Sequence, residues 1–192
     1  MPYQAIGPDV SYLADGMVHL LSFGIEGVPG LRKIDPVSVL SAWDAASLDG
    51  DPETDSMAVS IAQHLDAAYV VTGSVVQLGD NVRMIAEVHD AQTGRVRGSA
   101  EVTGPLDSVA GLIDRLTLEL LRRNLLPADR GRLPVSLSAS TTRSLPALKE
   151  YLAGERQFRL ANWAEARRHY TAAINYDSTF GRAIYRNIKV ID

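Results

Sequence analysis

The sequence predicts an α+β fold, in which helices cover an antiparallel or mixed sheet and an α-helical hairpin follows. Three consecutive segments between residues 68 and 103 alternate apolar and polar side chains, the pattern of strands that bury one face. Turn-forming residues separate these segments at 79–81 and 92–94. The segments on both sides of this meander carry apolar residues three and four positions apart, which indicates amphipathic helices.

The predicted strands span residues 68–77, 82–90 and 95–103. The side expected to be buried consists of Val82, Met84, Ala86, Val88, Val96, Ala100 and Val102. The side expected to face solvent consists of Arg83, Glu87, His89, Arg95, Arg97 and Glu101, interrupted by Ile85. We therefore expect a sheet with one packed face and one exposed face.

Helices are predicted on both sides of the meander, and the strongest of them is expected to cover the apolar face of the sheet. Their ranges are 9–28, 37–43, a segment capped by Asp55 or Ser56, and 104–124. A short strand is predicted at 31–34, and the composition of residues 47–56 indicates a loop.

Changes in composition and in hydrophobic periodicity divide the chain into three parts. Residues 1–126 carry all the predicted strands and read as one α+β domain. Residues 127–143 are rich in proline, serine and threonine without a helical period, which indicates a linker. Residues 144–192 then predict two helices with a tight break at 161–162 and the first turns of a third.

Composition limits the classes of protein to consider. The chain of 192 residues is 46% hydrophobic and 22% charged, as in ordinary globular proteins. Its net charge of −4 argues against a nucleic-acid partner. It has no cysteine, which excludes disulfides and cysteine-ligated zinc. No apolar run approaches the roughly 20 residues that span a bilayer, so we expect no direct membrane insertion by this chain.

The helical hairpin resembles the tetratricopeptide repeat (TPR), a helix-turn-helix unit. Gly154 lies where that repeat has a small residue, and Ala166 lies where a small residue opens the second helix. Tyr170 occupies the aromatic position and Ala173 the close-packing position, while residues 174–178 resemble the closing segment of the repeat. The resemblance implies one TPR-like hairpin and the start of a second repeat.

Residues 1–126 resemble the TolB N-terminal (FlgO-like) domain. The matching marks, in order, are residues 13–16, 29–31, 73–75 and 90–94. The strand with which that family opens is predicted to be missing here. The family commonly precedes TPR arrays in bacterial membrane-anchored serine/threonine kinases, adenylate cyclases and CadC-like regulators. The resemblance thus implies a piece of a larger signalling or envelope protein on the extracytoplasmic side of a bacterial membrane; the other location considered is cytoplasmic.

Two groups of residues are candidates for contact with a protein or peptide partner. The first is the exposed sheet face with Arg83, Arg95 and Arg97, where ion pairs with Glu87 and Glu101 are the simpler interpretation. The second is the hairpin with Tyr151, Phe158, Trp163 and Tyr170, which core packing would also explain. Self-association through the incomplete second repeat is a further expectation, because repeats bury their apolar faces against neighbours.

The sequence predicts no catalytic, cofactor-binding or metal-binding residue. Carboxylates alternate at Asp49, Asp51, Glu53 and Asp55, but the glycine and glutamate of a calcium loop are not at the required positions. The four histidines are scattered, and no nucleophile elbow or nucleotide-binding glycine motif occurs. A small hydrolase would need a nucleophile–base pair that the sequence does not show.

We therefore expect a non-enzymatic sensory or protein-interaction module. The alternative is the C-terminal regulatory tail of a serine/threonine protein kinase whose catalytic domain lies outside this chain.

Overall fold

A computed structural model describes residues 1–47, 54–125 and 142–190. Its strands are β1 (Gln4–Ile6), β2 (Tyr69–Leu78), β3 (Asn81–Asp90) and β4 (Val96–Pro105). Its helices are α1 (Leu13–Ile25), α2 (Pro36–Ser47), α3 (Thr54–His64), α4 (Val109–Leu120), α5 (Leu145–Arg159), α6 (Trp163–Tyr176) and α7 (Gly181–Lys189). A single 3₁₀ turn, Leu106–Ser108, precedes α4, and a π turn, Leu121–Leu125, follows it. The α+β class is confirmed.

The four strands form one mixed sheet in the order β1-β2-β3-β4. The β2-β3-β4 meander is antiparallel, as predicted, while β1 pairs in parallel with β2. The expectation of a missing first strand is wrong, since residues 4–6 pair with 74–76. The predicted strand at 31–34 is also wrong. The chain turns at Gly30 (φ +84°) and enters α2 at Pro36, so the residues between only connect two helices.

Helices α1 and α4 cover one face of the sheet, and the apolar side of β3 is fully buried under them. Val96 departs from the predicted pattern, because 55% of its surface is exposed. A β-bulge explains this: Val88 pairs with Gly98, but the next residue, His89, pairs with Val96 and skips Arg97. The skipped residue turns Val96 to the opposite face.

The second face of the sheet is only partly exposed. Helix α3 packs on one end of it through a small apolar cluster of Ala58, Ala62, Val70 and Ala91. His89, predicted to face solvent, is buried at this end. The prediction of a wholly exposed face is therefore wrong where α3 covers it. The alternation of a strand defines its two faces, but it does not show whether a helix from another part of the chain packs on one of them.

The predicted helical hairpin is present, with α5 and α6 separated by a turn in which Ala161 has a φ of +58°. Its apolar residues belong to the same continuous core as those of the sheet and α1. The predicted linker and the predicted calcium-like loop fall largely outside the described residues, as does most of the 47–56 loop. The three-part division of the chain stays a prediction.

Candidate ligand cleft between the sheet domain and the hairpin

The arginines predicted on the open sheet face do not form one basic site. Arg83 makes a two-pronged ion pair with Glu101, with Nε–Oε1 and Nη2–Oε2 distances of 2.8 and 2.9 Å. Arg97 donates to the Tyr69 hydroxyl and stacks over its ring, and Arg95, two residues before it, is exposed. Arg83 pairs with Thr103, six residues from Arg97, which is about 20 Å along a strand. Partner contact by these side chains stays a prediction.

The four aromatic candidates of the hairpin separate into two pairs. Tyr151 and Tyr170 are buried in the core, where the Tyr151 ring contacts Phe23, Tyr170 and Phe180. Their prediction as partner contacts is wrong for this structure, because α1 and α7 pack over the face that carries them. Phe158 and Trp163 pack edge to face with ring centres 5.1 Å apart, and half of the Trp163 surface is exposed. These two remain available to a partner.

Behind the aromatic residues lies a buried carboxylate that the sequence analysis missed. Glu155 accepts hydrogen bonds from the Tyr170 hydroxyl and from Arg186, both at 2.8 Å. The Nδ1 atom of His19 lies 3.3 Å from its Oε2 atom. Glu155 thereby joins α1, α6 and α7 to α5. The sequence predicts a solvent-facing side chain for a glutamate inside a helix. The signal for burial was its position four residues after Tyr151, which places both residues on the same helix face.

The packing of His19 predicts that the protein loses stability in acid. Burial is the largest effect and lowers the pKa of His19 below 6.5. The carboxylates of Glu155, Asp15 and Asp35 oppose this shift, and the Arg186 guanidinium reinforces it. Because the folded pKa lies below the unfolded one, this contribution is complete above pH 6.5 and is lost as the pH falls below it.

We expect a His19→Gln variant to show a weaker fall of unfolding free energy than the natural protein between pH 7 and 5, measured by urea unfolding. An equally steep fall in both proteins would contradict the assignment to His19.

A cleft of about 370 Å³ opens where α5 of the hairpin faces α1 and α2 of the sheet domain. Residues 11–19 supply one wall, Leu40 closes the base, and α5 residues 149–159 supply the other wall. Its lower end is held by Arg159, whose guanidinium pairs with Asp15 at 2.8 Å and with Asp44. This bridge ties α5 to both α1 and α2.

Two further cations line the cleft, Lys149 and Arg156, seven residues apart on one face of α5. The Lys149 ammonium lies 5.1 Å from the centre of the Tyr12 ring. Within the described ranges, neither Lys149 nor Arg156 forms an ion pair with a carboxylate. The cleft therefore presents uncompensated positive charge on one wall.

Two residues that line the cleft each carry a buried polar atom without a partner. The Tyr12 hydroxyl and the Nε atom of Arg159 are buried, and neither has a hydrogen-bond partner in the described part of the chain. Burial and the nearby Asp9 raise the pKa of Tyr12 far above its usual range, so its hydroxyl stays neutral and can donate. Buried polar groups are nearly always hydrogen-bonded, and orphaned ones point to a ligand or water.

This cleft is not predictable from the local sequence pattern. Lys149 and Arg156 have the spacing of one helix face, which was the available signal. Their opposing wall, however, comes from α1, more than 130 residues away in sequence.

Other surfaces show less organisation. Helix α7, which follows the hairpin, exposes three large apolar side chains, Ile184, Tyr185 and Ile188. Self-association there stays a prediction, which dilution-dependent sedimentation would test. None of the helices in the described residues has both the length and the apolar character needed to cross a membrane.

Comparison with known proteins gives little similarity. No family model matches the chain, and no curated protein matches it in sequence. Among solved structures, the chain is similar to the LpoB C-terminal domain from Salmonella enterica, with a TM-score of 0.43 and 18% sequence identity. The match covers 55% of this chain and 77% of that domain.

Proposed function

We propose that this chain is a non-enzymatic protein-interaction module whose cleft between α1, α2 and α5 binds an acidic segment of a partner protein. The cleft carries the proposal, because two cations without a carboxylate partner in the described structure line one of its walls. Its volume lies at the lower end of the range for ligand sites. A short peptide stretch with a few side chains would fill it.

The spacing of the donors suits an extended acidic peptide. Lys149 and Arg156 lie about 10 Å apart along the helix axis, since each residue rises about 1.5 Å. A peptide in the polyproline II conformation advances about 3.1 Å per residue with three residues per turn, so carboxylates three residues apart lie on one side, roughly 9 Å apart, and would meet both cations.

The arrangement of the buried histidine on the sheet supports a non-enzymatic role. The Nε2 atom of His89 lies 3.0 Å from the Thr72 hydroxyl, which resembles a nucleophile beside a base. The nearest carboxylates, however, face the same Nε2 atom, at 3.8 Å from Glu87 and 4.0 Å from Asp55. A catalytic triad needs the carboxylate on the other ring nitrogen to orient the base.

A selection from a displayed random peptide library tests the binding proposal. The natural protein should enrich peptides with aspartate or glutamate three residues apart, and 0.5 M salt should weaken their binding. Lys149→Glu and Arg156→Glu should each reduce the affinity of an enriched peptide about tenfold or more, because each removes a charge-assisted hydrogen bond.

The matched control is Arg167→Glu, the same charge reversal at an exposed site on α6 outside the cleft. It should leave affinity for the peptide unchanged. Enrichment without acidic residues, or equal losses in the control and the cleft variants, would refute the proposal.

We further propose that the chain acts on the extracytoplasmic side of a bacterial membrane as part of a longer signalling or envelope protein, which the TolB-like marks at 13–16 and 90–94 support. The alternative, a kinase regulatory tail, has no structural observation in its favour. An immunoblot of fractionated cells tests the location: a band far above 20.8 kDa in membranes is expected, and a soluble band at 20.8 kDa would contradict it.

A further inference from the structure

Three metal-ligating side chains meet on the face of the sheet that α3 covers, well away from the cleft. Glu87 and His89 lie two residues apart on β3 and therefore project from the same face. Asp55 reaches them from the first turn of α3. One ligand atom from each of the three side chains lies within 4.8 Å of the other two.

The distances fit a shared cation. The His89 Nε2 atom is 3.8 Å from the Glu87 carboxylate and 4.0 Å from that of Asp55. Zinc binds imidazole nitrogen and carboxylate oxygen at about 2.0–2.2 Å in tetrahedral geometry, so two ligands of one ion lie roughly 3.4 Å apart and the carboxylates would close by about half an ångström. The imidazole is buried with its Nε2 atom 3.0 Å from the Thr72 hydroxyl, so the ion would replace that hydrogen bond, and both carboxylates are partly exposed and can close on the ion.

The charges at this position are also uncompensated. Two carboxylates face one imidazole, and among the residues that the structure describes neither Asp55 nor Glu87 pairs with a lysine or arginine. Other acidic side chains near a structural contact do have such partners, as Asp15 and Asp44 have Arg159. A bound cation would supply the missing positive charge.

We propose that Asp55, Glu87 and His89 bind a divalent transition-metal ion of the zinc class, which fastens α3 to the sheet. An imidazole ligand favours zinc and its neighbours over calcium and magnesium, which prefer sites made of oxygen alone. Three protein ligands leave a fourth position for water or for an atom of a ligand.

Weak apolar packing of α3 gives the ion a structural role. The fully buried part of this contact consists of Ala58 and Ala62 against Val70 and Ala91, and the larger Met1, Trp43 and Val59 pack against it only partly buried. The small alanine side chains bury little apolar surface. An ion shared by Asp55 and the β3 ligands would fix the first turn of α3. The apolar contact alone holds the helix only further along, at Ala58 and Ala62.

Isothermal titration of the natural protein with ZnCl₂, without a histidine tag, tests the proposal. We expect one saturable site, with calcium failing to compete at millimolar concentration. Zinc should also raise the Tm, and EDTA should reverse the rise. Asp55→Asn, at an exposed position that the fold does not need, and His89→Gln should each weaken zinc binding about tenfold or more.

The matched control is His169→Gln. His169 also faces a carboxylate, with its Nδ1 atom 2.7 Å from Glu150, but it lies on the hairpin and has no third ligand nearby in the described structure. This variant should bind zinc as the natural protein does. Absence of saturable zinc binding, or affinity unchanged by Asp55→Asn, would overturn the proposal even if His89→Gln proved unstable.

Discussion

Replacing Glu155 with alanine is expected to lower the free energy of unfolding by about 3 kcal/mol. The substitution leaves the Tyr170 hydroxyl without its acceptor and the Arg186 guanidinium without its counterion. Breaking a buried ion pair by removing one partner costs about 3–5 kcal/mol, because an unpaired charge stays in the interior. We expect the lower end, since the side chain of Arg186 is 26% exposed and can turn toward water.

Urea unfolding monitored by circular dichroism measures this loss. Glu165→Ala, which removes an exposed carboxylate paired with Arg168 on α6, is the control and should change stability by less than about 0.5 kcal/mol. Glu155→Gln should be intermediate, because it retains one acceptor but no charge. Equal stability of Glu155→Ala and the control would show that the buried network does not hold the hairpin.

Replacing Tyr151 with alanine should cost about 3–5 kcal/mol, as large-to-small changes of buried aromatic residues do. The Tyr151 ring lies between Phe23 of α1, Tyr170 of α6 and Phe180 just before α7, with ring centres 5.0–6.0 Å apart. Its removal leaves a cavity that the surrounding rings cannot fill without moving three helices. Tyr151→Phe keeps the ring and should cost much less.

The control for Tyr151 is Tyr185→Ala on α7, where 59% of the side chain is exposed, and we expect a change within about 0.5 kcal/mol. Comparable losses at the two positions would contradict a core role for Tyr151. The Tyr151 and Glu155 effects should not add, because the two residues lie one turn apart and share Arg186 and Tyr170 as neighbours.

The sequence predicted those parts of the fold that depend on local pattern. The meander over β2, β3 and β4 was predictable because alternation over ten residues is a property of each strand and its turns. Strand β1 has three residues, too few to show a period. The bulge beside His89 was not predictable either, because one skipped residue in the pairing of β3 with β4 does not change the amino-acid pattern of either strand.

The candidate sites were less predictable because each one combines distant segments. The cleft needs α1 opposite α5, and the proposed metal site needs the first turn of α3 over the C-terminal end of β3. His89 was assigned to an exposed face on the alternation of its own strand, which says nothing about a helix returning over it. Glu155 likewise became interior only because α1 and α7 close around α5.

The continuous core restricts which recombination events this protein can tolerate during evolution. Phe23 and Leu152 belong to segments that look like separate modules, yet Leu152 packs directly against Gly16 of α1 and Phe23 packs against the neighbouring Tyr151. Independent domains can be exchanged between genes because each has its own hydrophobic core. Here, recombination between residues 125 and 142 would divide one interior into two incomplete halves. Selection should therefore keep both segments in the same gene and let their contacting residues change together.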